Sequence, residues 1–283
     1  MASKSYRRKP TTKRKSNATS KWIFYLISFV LFLFVAIGIY KFRDGFLYYL
    51  GFKTDKNVET LSKEERKLAD IRIYEVLHKH DDKAIGFDVS EYQSEIDWEQ
   101  TYHIDESFEL SFVFIRATAG KNKVDSRFKE NWKASKEREL IRGAYHYYRP
   151  NENSIEQAEN FIKNVKLEKG DLPPVLDIEK LPKSQSIDSL KVGLRRWLKK
   201  VEKHYKVKPI IYSGESYYTD FLKEEFSDYP LWIANYNFWR NHLEDDWLFW
   251  QFTEKAQIQG IEGMVDVNIF NGNKNKLLLK CIR

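Results

Sequence analysis

From residue 84 onward, short apolar runs recur between longer amphipathic stretches. The runs are Ile85 to Asp88, Phe112 to Arg116, Gly143 to Tyr147, Pro174 to Glu179, Pro209 to Tyr212, Leu231 to Ala234, Leu248 to Phe252 and Val265 to Phe270. Their length and their β-branched and aromatic content read as strands. Asp125 to Arg138, Ser154 to Val165, Ile187 to Tyr205 and Ser216 to Phe226 carry helical periodicity. Strands alternating with such helices imply βαβ units and a parallel sheet. After Tyr212 the rhythm shortens and leaves little room for helices. The pattern therefore predicts an α/β fold over 84–283: a TIM-like barrel of eight strands with about five full helices, closing with short hairpins.

Ahead of it, Trp22 to Tyr40 is a charge-free run of 19 residues. At about 1.5 Å per residue such a helix covers roughly the 30 Å hydrocarbon core of a bilayer. Trp22, Tyr25 and Tyr40 sit near its ends, where interfacial anchors belong. A cleaved signal peptide is the rival reading. Against it, the run is long for that role, and Gly38-Ile39-Tyr40-Lys41 offers no small-x-small cleavage site. We therefore expect a single N-terminal transmembrane helix over 22–40. Residues 41–83 read as a stalk, partly helical, with Leu61, Leu68, Ile71, Tyr74 and Leu77 forming the apolar face of a short helix.

Charge sharpens this picture. The chain has 48 Lys and Arg against 41 Asp and Glu, a formal +7, and eight of the basic residues lie in the first 21, where there is no acid. Without them 40 bases face 41 acids, so the body is neutral and nothing points to nucleic acid as a partner. A basic tail before the span predicts an N-terminus in the cytoplasm, a single pass through the cytoplasmic membrane, and the barrel on the outer or periplasmic side. Cys281 is the sole cysteine, so no intramolecular disulfide supports that domain.

The candidate chemistry centres on Pro173-Pro174-Val175-Leu176-Asp177-Ile178-Glu179. Strand alternation turns Asp177 and Glu179 to one face, and two acids ending a buried run are costly without a use. Asp88 follows the first strand, Arg116 lies in the second and Asp266 in the last. The C-terminal strand ends of a barrel converge on one mouth, so four carboxylates are expected together. They suit acid–base work or a hard cation such as magnesium or calcium. Asp88 capping a turn, or Asp266 paired with Arg116, are the structural alternatives. Scattered histidines argue against zinc, no Gly-rich phosphate cradle is present, and Gly214-Glu215-Ser216 lacks the second glycine of a nucleophile elbow. Tyr145, Tyr147, Tyr148, Tyr212, Trp232, Tyr236, Trp239, Trp250 and Phe252 fall in or just after strands. About half read as core; the rest suit a sugar ring, and with the acids they suggest glycoside hydrolysis.

The same residues resemble the lysozymes of glycoside hydrolase family 25, the Chalaropsis-type muramidases. The shared pattern runs through Gly86-Phe87-Asp88-Val89-Ser90, Ile96-Asp97-Trp98, Phe114-Ile115-Arg116-Ala117-Thr118, Gly143-Ala144-Tyr145-His146-Tyr147 and Leu176-Asp177-Ile178-Glu179. It continues through Ile211-Tyr212-Ser213, Leu231-Trp232-Ile233-Ala234, Trp250-Gln251-Phe252 and Val265-Asp266-Val267-Asn268. The resemblance implies hydrolysis of the β-1,4 bond between N-acetylmuramic acid and N-acetylglucosamine in peptidoglycan, without metal or cofactor. It implies Glu179 as general acid/base, with Asp177 orienting a substrate acetamido group and ionised neighbours keeping the acid protonated. Asp88 and Asp266 would surround the reacting sugar, and Tyr145, Tyr147, Tyr212, Trp232 and Gln251 would bind it. Substrate-assisted retention and direct water attack with inversion both stay open. The chain departs from the family at Ala119, often a glutamate, and at Glu139, often a glycine. A non-catalytic membrane-anchored peptidoglycan-binding or scaffold protein, and a hydrolase of another N-acetylated glycan, are the rival functions.

Overall fold

Residues 18–41 and 61–283 are described in a computed structural model of the chain. The basic tail to residue 17 and the stalk over 42–60 lie outside the described residues. The chain divides into two units, Met1–Leu47 and Tyr48–Arg283. The first contains helix α1, Ala18–Lys41. Its side chains are described over 22–38 and most are exposed; among the described residues no helix is long and apolar enough to cross a membrane.

The second unit begins with α2, Lys63–Lys79. A reciprocal cap starts it: Ser62 Oγ accepts the Glu65 N–H at 3.2 Å, and the Ser62 N–H donates to Glu65 Oε2 at 2.8 Å. Its buried face is Ala69, Arg72, Ile73, Val76 and Leu77, rotated from the expected one, and Ile71 and Tyr74 are exposed. Hydropathy misplaced the face because Arg72 belongs to it. That guanidinium is buried and donates to the backbone carbonyls of Asn237, at 2.9 Å, and Arg240. Such pairing is how a buried charge is tolerated.

Every predicted apolar run is a strand: β1 Ile85–Val89, β3 Phe108–Ala119, β5 Ile141–Tyr147, β6 Val175–Asp177, β7 Ile210–Gly214, β8 Leu231–Ala234, β9 Phe249–Ala256 and β10 Val265–Phe270. They pair in that order, and β10 pairs back onto β1, closing the barrel. Two short strands, β2 (His103–Ile104) and β4 (Lys123–Val124), pair only with β3. The ladder is parallel from β1 through β9, whereas β10 runs antiparallel to both neighbours. The outer layer is α3 Phe128–Glu137, α4 Ser154–Asn164, α5 Ile187–Tyr205 and a helical stretch over 215–226 with a π turn at Tyr218–Leu222.

No full helix follows the first strand. Two single 3₁₀ turns, Glu91–Gln93 and Trp98–Gln100, stand there instead, capped by Ser90 and Asp97. These residues satisfy turn backbones locally, which competes with helix propagation. Glu139, where the family often has glycine, sits at φ 59°, the left-handed region that favours glycine, in the turn between α3 and β5.

Aromatic side chains fill the barrel. Phe114 stacks on Trp232 with centroids 4.3 Å apart, and Phe249 meets both Phe112 and Phe270 at 5.2 Å. Glycines on adjacent strands make the room. A Cβ on Gly86 would lie 2.4 Å from the Phe112 carbonyl oxygen, and one on Gly143 would lie 2.5 Å from the Phe114 ring. Closure is thus a fit of large to small across β1–β3 and β3–β5. Gly86→Ala is expected to lower stability by about 1–3 kcal/mol through overpacking, read from urea unfolding; an unchanged midpoint would show that the backbone and ring of Phe112 can both yield.

Candidate active site

The floor of the barrel mouth is Asp88, at the end of β1. Its Oδ2 accepts two amide donors, Gln251 Nε2 at 2.7 Å and Asn268 Nδ2 at 2.8 Å. Each amide is oriented from behind. Trp232 Nε1, which can only donate, gives its hydrogen to Asn268 Oδ1 at 2.7 Å. The hydroxyls of Tyr212, at 2.7 Å, and Tyr236 donate to Gln251 Oε1. With their oxygens occupied, both amides must turn their NH₂ groups to Asp88. Burial pushes Asp88 up to about 7; the two amide bonds pull it down, and the charge of Glu179 adds to the rise.

Asp177 ends β6 and is 4% exposed, whereas Glu179 lies beyond the strand and is exposed. The strand therefore ends two residues earlier than predicted, although the Ile178 N–H still donates to the Tyr212 carbonyl at 3.0 Å and carries the chain onward. The two carboxyls are hydrogen-bonded to each other. Burial first, then the charges of Glu179 and Asp88, push Asp177 well above the usual carboxylate range. Burial therefore favours the protonated form of Asp177. Its Oδ1 is buried with no hydrogen-bond partner.

Asp266 reaches the mouth by a route the sequence pattern did not show. It lies near the start of β10, and because that strand is antiparallel its N-terminal end is at the mouth, with Asp266 opposite Asp88 in the ladder. Arg116 donates from Nε to Asp125 at 2.8 Å and from Nη2 to Glu91 at 3.1 Å, and its guanidinium lies 4.6 Å from the Tyr92 ring centroid.

A cleft of about 980 Å³ opens above these groups, lined by all four predicted acids and by Tyr145, Tyr147, Tyr212, Trp232 and Gln251. Tyr145, Tyr212 and Tyr236 are pushed well above the usual tyrosine range, by burial first, so they remain phenols. Tyr148, Trp250 and Phe252 are core instead, and Trp239 does not line the cleft. His146 is buried between Thr118 and Gln157, and burial lowers it to about 3, so it stays neutral. Asn268 was missed as a site residue, and Tyr236 was named only among the candidate aromatics. Asn268 could have been found by strand alternation from Asp266; the contact of Tyr236 with Gln251 needed the fold. Tyr92, Lys180 and Ala119 also line the cleft, so the Ala119 departure falls at the site.

The Asp88 shift makes a stability statement. Unfolded, its carboxyl titrates near 3.8; folded, near 7. Between those values the native state holds a proton that the unfolded chain has released, so this group's contribution falls as pH rises from about 4 to about 7 and is flat above. Asp88→Asn, which carries no charge, is expected to gain on the wild type by roughly 2–4 kcal/mol between pH 4.5 and 8. Urea unfolding of both proteins at the two pH values reads this directly, and a pH-independent difference would refute it.

The family model described as glycosyl hydrolases family 25 matches residues 87–261. The chain is 42% identical over 196 residues to the uncharacterized protein YegX of Escherichia coli (strain K12), covering 68% of this chain and 71% of that one. It is 32% identical over 208 residues to lysozyme M1 of Streptomyces globisporus, covering 68% and 69%. Among solved structures, a family 25 glycosyl hydrolase from Bacillus anthracis superposes with a TM-score of 0.63 at 30% identity, over 71% of this chain and 94% of that one. The bacterial lysozyme from Streptomyces coelicolor does so with a TM-score of 0.63 at 28% identity, over 70% and 97%. The chain belongs to glycosyl hydrolases family 25.

Proposed function

We propose that this protein is a peptidoglycan muramidase, cleaving the β-1,4 bond between N-acetylmuramic acid and N-acetylglucosamine, with Glu179 as general acid/base. The observation that carries the mechanism is the Asp177–Glu179 pair: two hydrogen-bonded carboxyls, one buried and one open to the cleft, with Asp177 Oδ1 left as a buried acceptor. An acetamido N–H arriving at Oδ1 would supply the missing bond. Hydrogen bonding to the charged form favours that form, so substrate binding draws Asp177 toward the carboxylate and moves the shared proton onto Glu179. Glu179 then protonates the leaving glycosidic oxygen. The oriented acetamido carbonyl oxygen attacks its own anomeric carbon, and Glu179 next takes a proton from the water that opens the ring. Asp88 and Asp266 face the developing positive charge of the sugar from the β1/β10 side.

The location is part of the same reading. The charge-free run Trp22 to Tyr40 behind a basic segment supports a cytoplasmic-membrane anchor, with the N-terminus inside and the enzyme working on wall glycan from the outer or periplasmic face.

Two measurements test this. Purified protein should release reducing ends from peptidoglycan with retention at the anomeric carbon, followed by NMR, while Glu179→Gln should lose at least about a hundredfold in kcat, the low end for a general acid. Equal activity in the two proteins would sink the assignment. In cells, the full chain should stay with membranes after a high-salt wash and a chain lacking residues 22–40 should not; a full chain recovered in the soluble fraction would end the anchor proposal.

A further inference from the structure

Lys180 follows the proposed acid directly and lines the cleft. Both ends of this residue are held. Its backbone carbonyl accepts the Tyr217 hydroxyl at 3.1 Å. Its Nζ lies 5.5 Å from the Tyr147 ring centroid. Three other cations of the cleft are ion-paired with acids: Arg116 bonds Asp125 and Glu91, Lys123 Nζ lies 2.9 Å from Glu91, and Arg149 bonds Glu152 at 3.2 Å. Lys180 leans on a phenol instead. An ammonium has three donors, and a phenol ring beside it does not neutralise the charge.

Resting on the muramidase reading, we infer that Lys180 is a specificity residue that binds the carboxylate carried by a muramoyl sugar through its lactyl group. N-acetylmuramic acid differs from N-acetylglucosamine only by the lactyl ether at O3, which ends in a carboxylate when peptide-free and continues into a peptide with its own carboxylates otherwise. A fixed ammonium beside the reacting acid separates such a glycan from neutral chitin by charge, which the aromatic wall and the amide-bound floor do not do. Tyr147 becomes the residue that poses the ammonium. Because Lys180 is exposed, the effect should weaken with added salt.

The test compares wild type, Lys180→Gln and Lys180→Arg on peptide-free muroglycan and on intact peptidoglycan. Affinities for muroglycan oligosaccharides and for chito-oligosaccharides are measured in the inactive Glu179→Gln background. We expect Lys180→Gln to lose about tenfold in kcat/KM on the muramoyl substrates, carried by KM, with Lys180→Arg recovering most of it. The loss should shrink from 50 to 500 mM NaCl, and chito-oligosaccharide affinity should not change. A loss on peptide-free glycan assigns the lactyl carboxylate; a loss confined to intact peptidoglycan assigns the peptide. An equal loss on neutral and acidic glycans, or none on either, overturns the inference. Should the wild type cleave no glycan, the muramidase reading fails instead, and the affinities, which need no turnover, still decide the role of Lys180.

Discussion

The site depends on one hydrogen-bond arrangement: two side-chain amides converging on Asp88 Oδ2. An amide can face either way, and what decides is the donor behind it. The indole N–H of Trp232 cannot accept, so the Asn268 carbonyl must turn toward it and the NH₂ toward Asp88. Two phenol hydroxyls impose the same choice on Gln251. The participants come from β1, β7, β8, β9, β10 and the loop after β8, so the arrangement exists only once the barrel is closed. Closure in turn requires Gly86 beneath Phe112 and a last strand running backwards. The cavity packing and the carboxylate geometry are one constraint seen from two sides.

Burial divides the labour between Asp177 and Glu179. Residues two apart on a strand share a face, but β6 ends at Asp177, so one acid is walled in while the other meets solvent. Burial pushes Asp177 toward its protonated form, while Glu179 opens to the cleft. On the proposed mechanism the unfilled acceptor at Asp177 Oδ1 receives the substrate's amide N–H, and that contact triggers proton transfer to Glu179.

Much of this was legible in the chain. The eight strands could be read because parallel barrel strands are buried on both faces and appear as apolar runs, and the acids because charge at the end of such a run is conspicuous. What escaped depended on partners distant in sequence. Arg72 looks like a surface residue until the carbonyls of Asn237 and Arg240 are beside it. About five full helices were expected, yet the first connection has none, because Ser90 and Asp97 hold it in capped turns. Asp266 was expected at a strand's end and lies near its beginning, since strand direction is invisible to hydropathy.

The helix ahead of the barrel shapes the site as well. The family match begins at residue 87, so Lys63–Lys79 is supplied by this chain beyond the matched region. Through Arg72 it fixes the carbonyls of Asn237 and Arg240, while Trp250 Nε1 holds the Asn235 carbonyl of the same loop at 2.9 Å. Between these anchors sits Tyr236, whose hydroxyl reaches Gln251. A loop that carries a site residue has to be ordered by something, and a buried guanidinium bound to loop carbonyls does so without adding a charge to the cleft. The position of the amide that holds Asp88 is in this way set partly from α2, a helix that touches none of the acids.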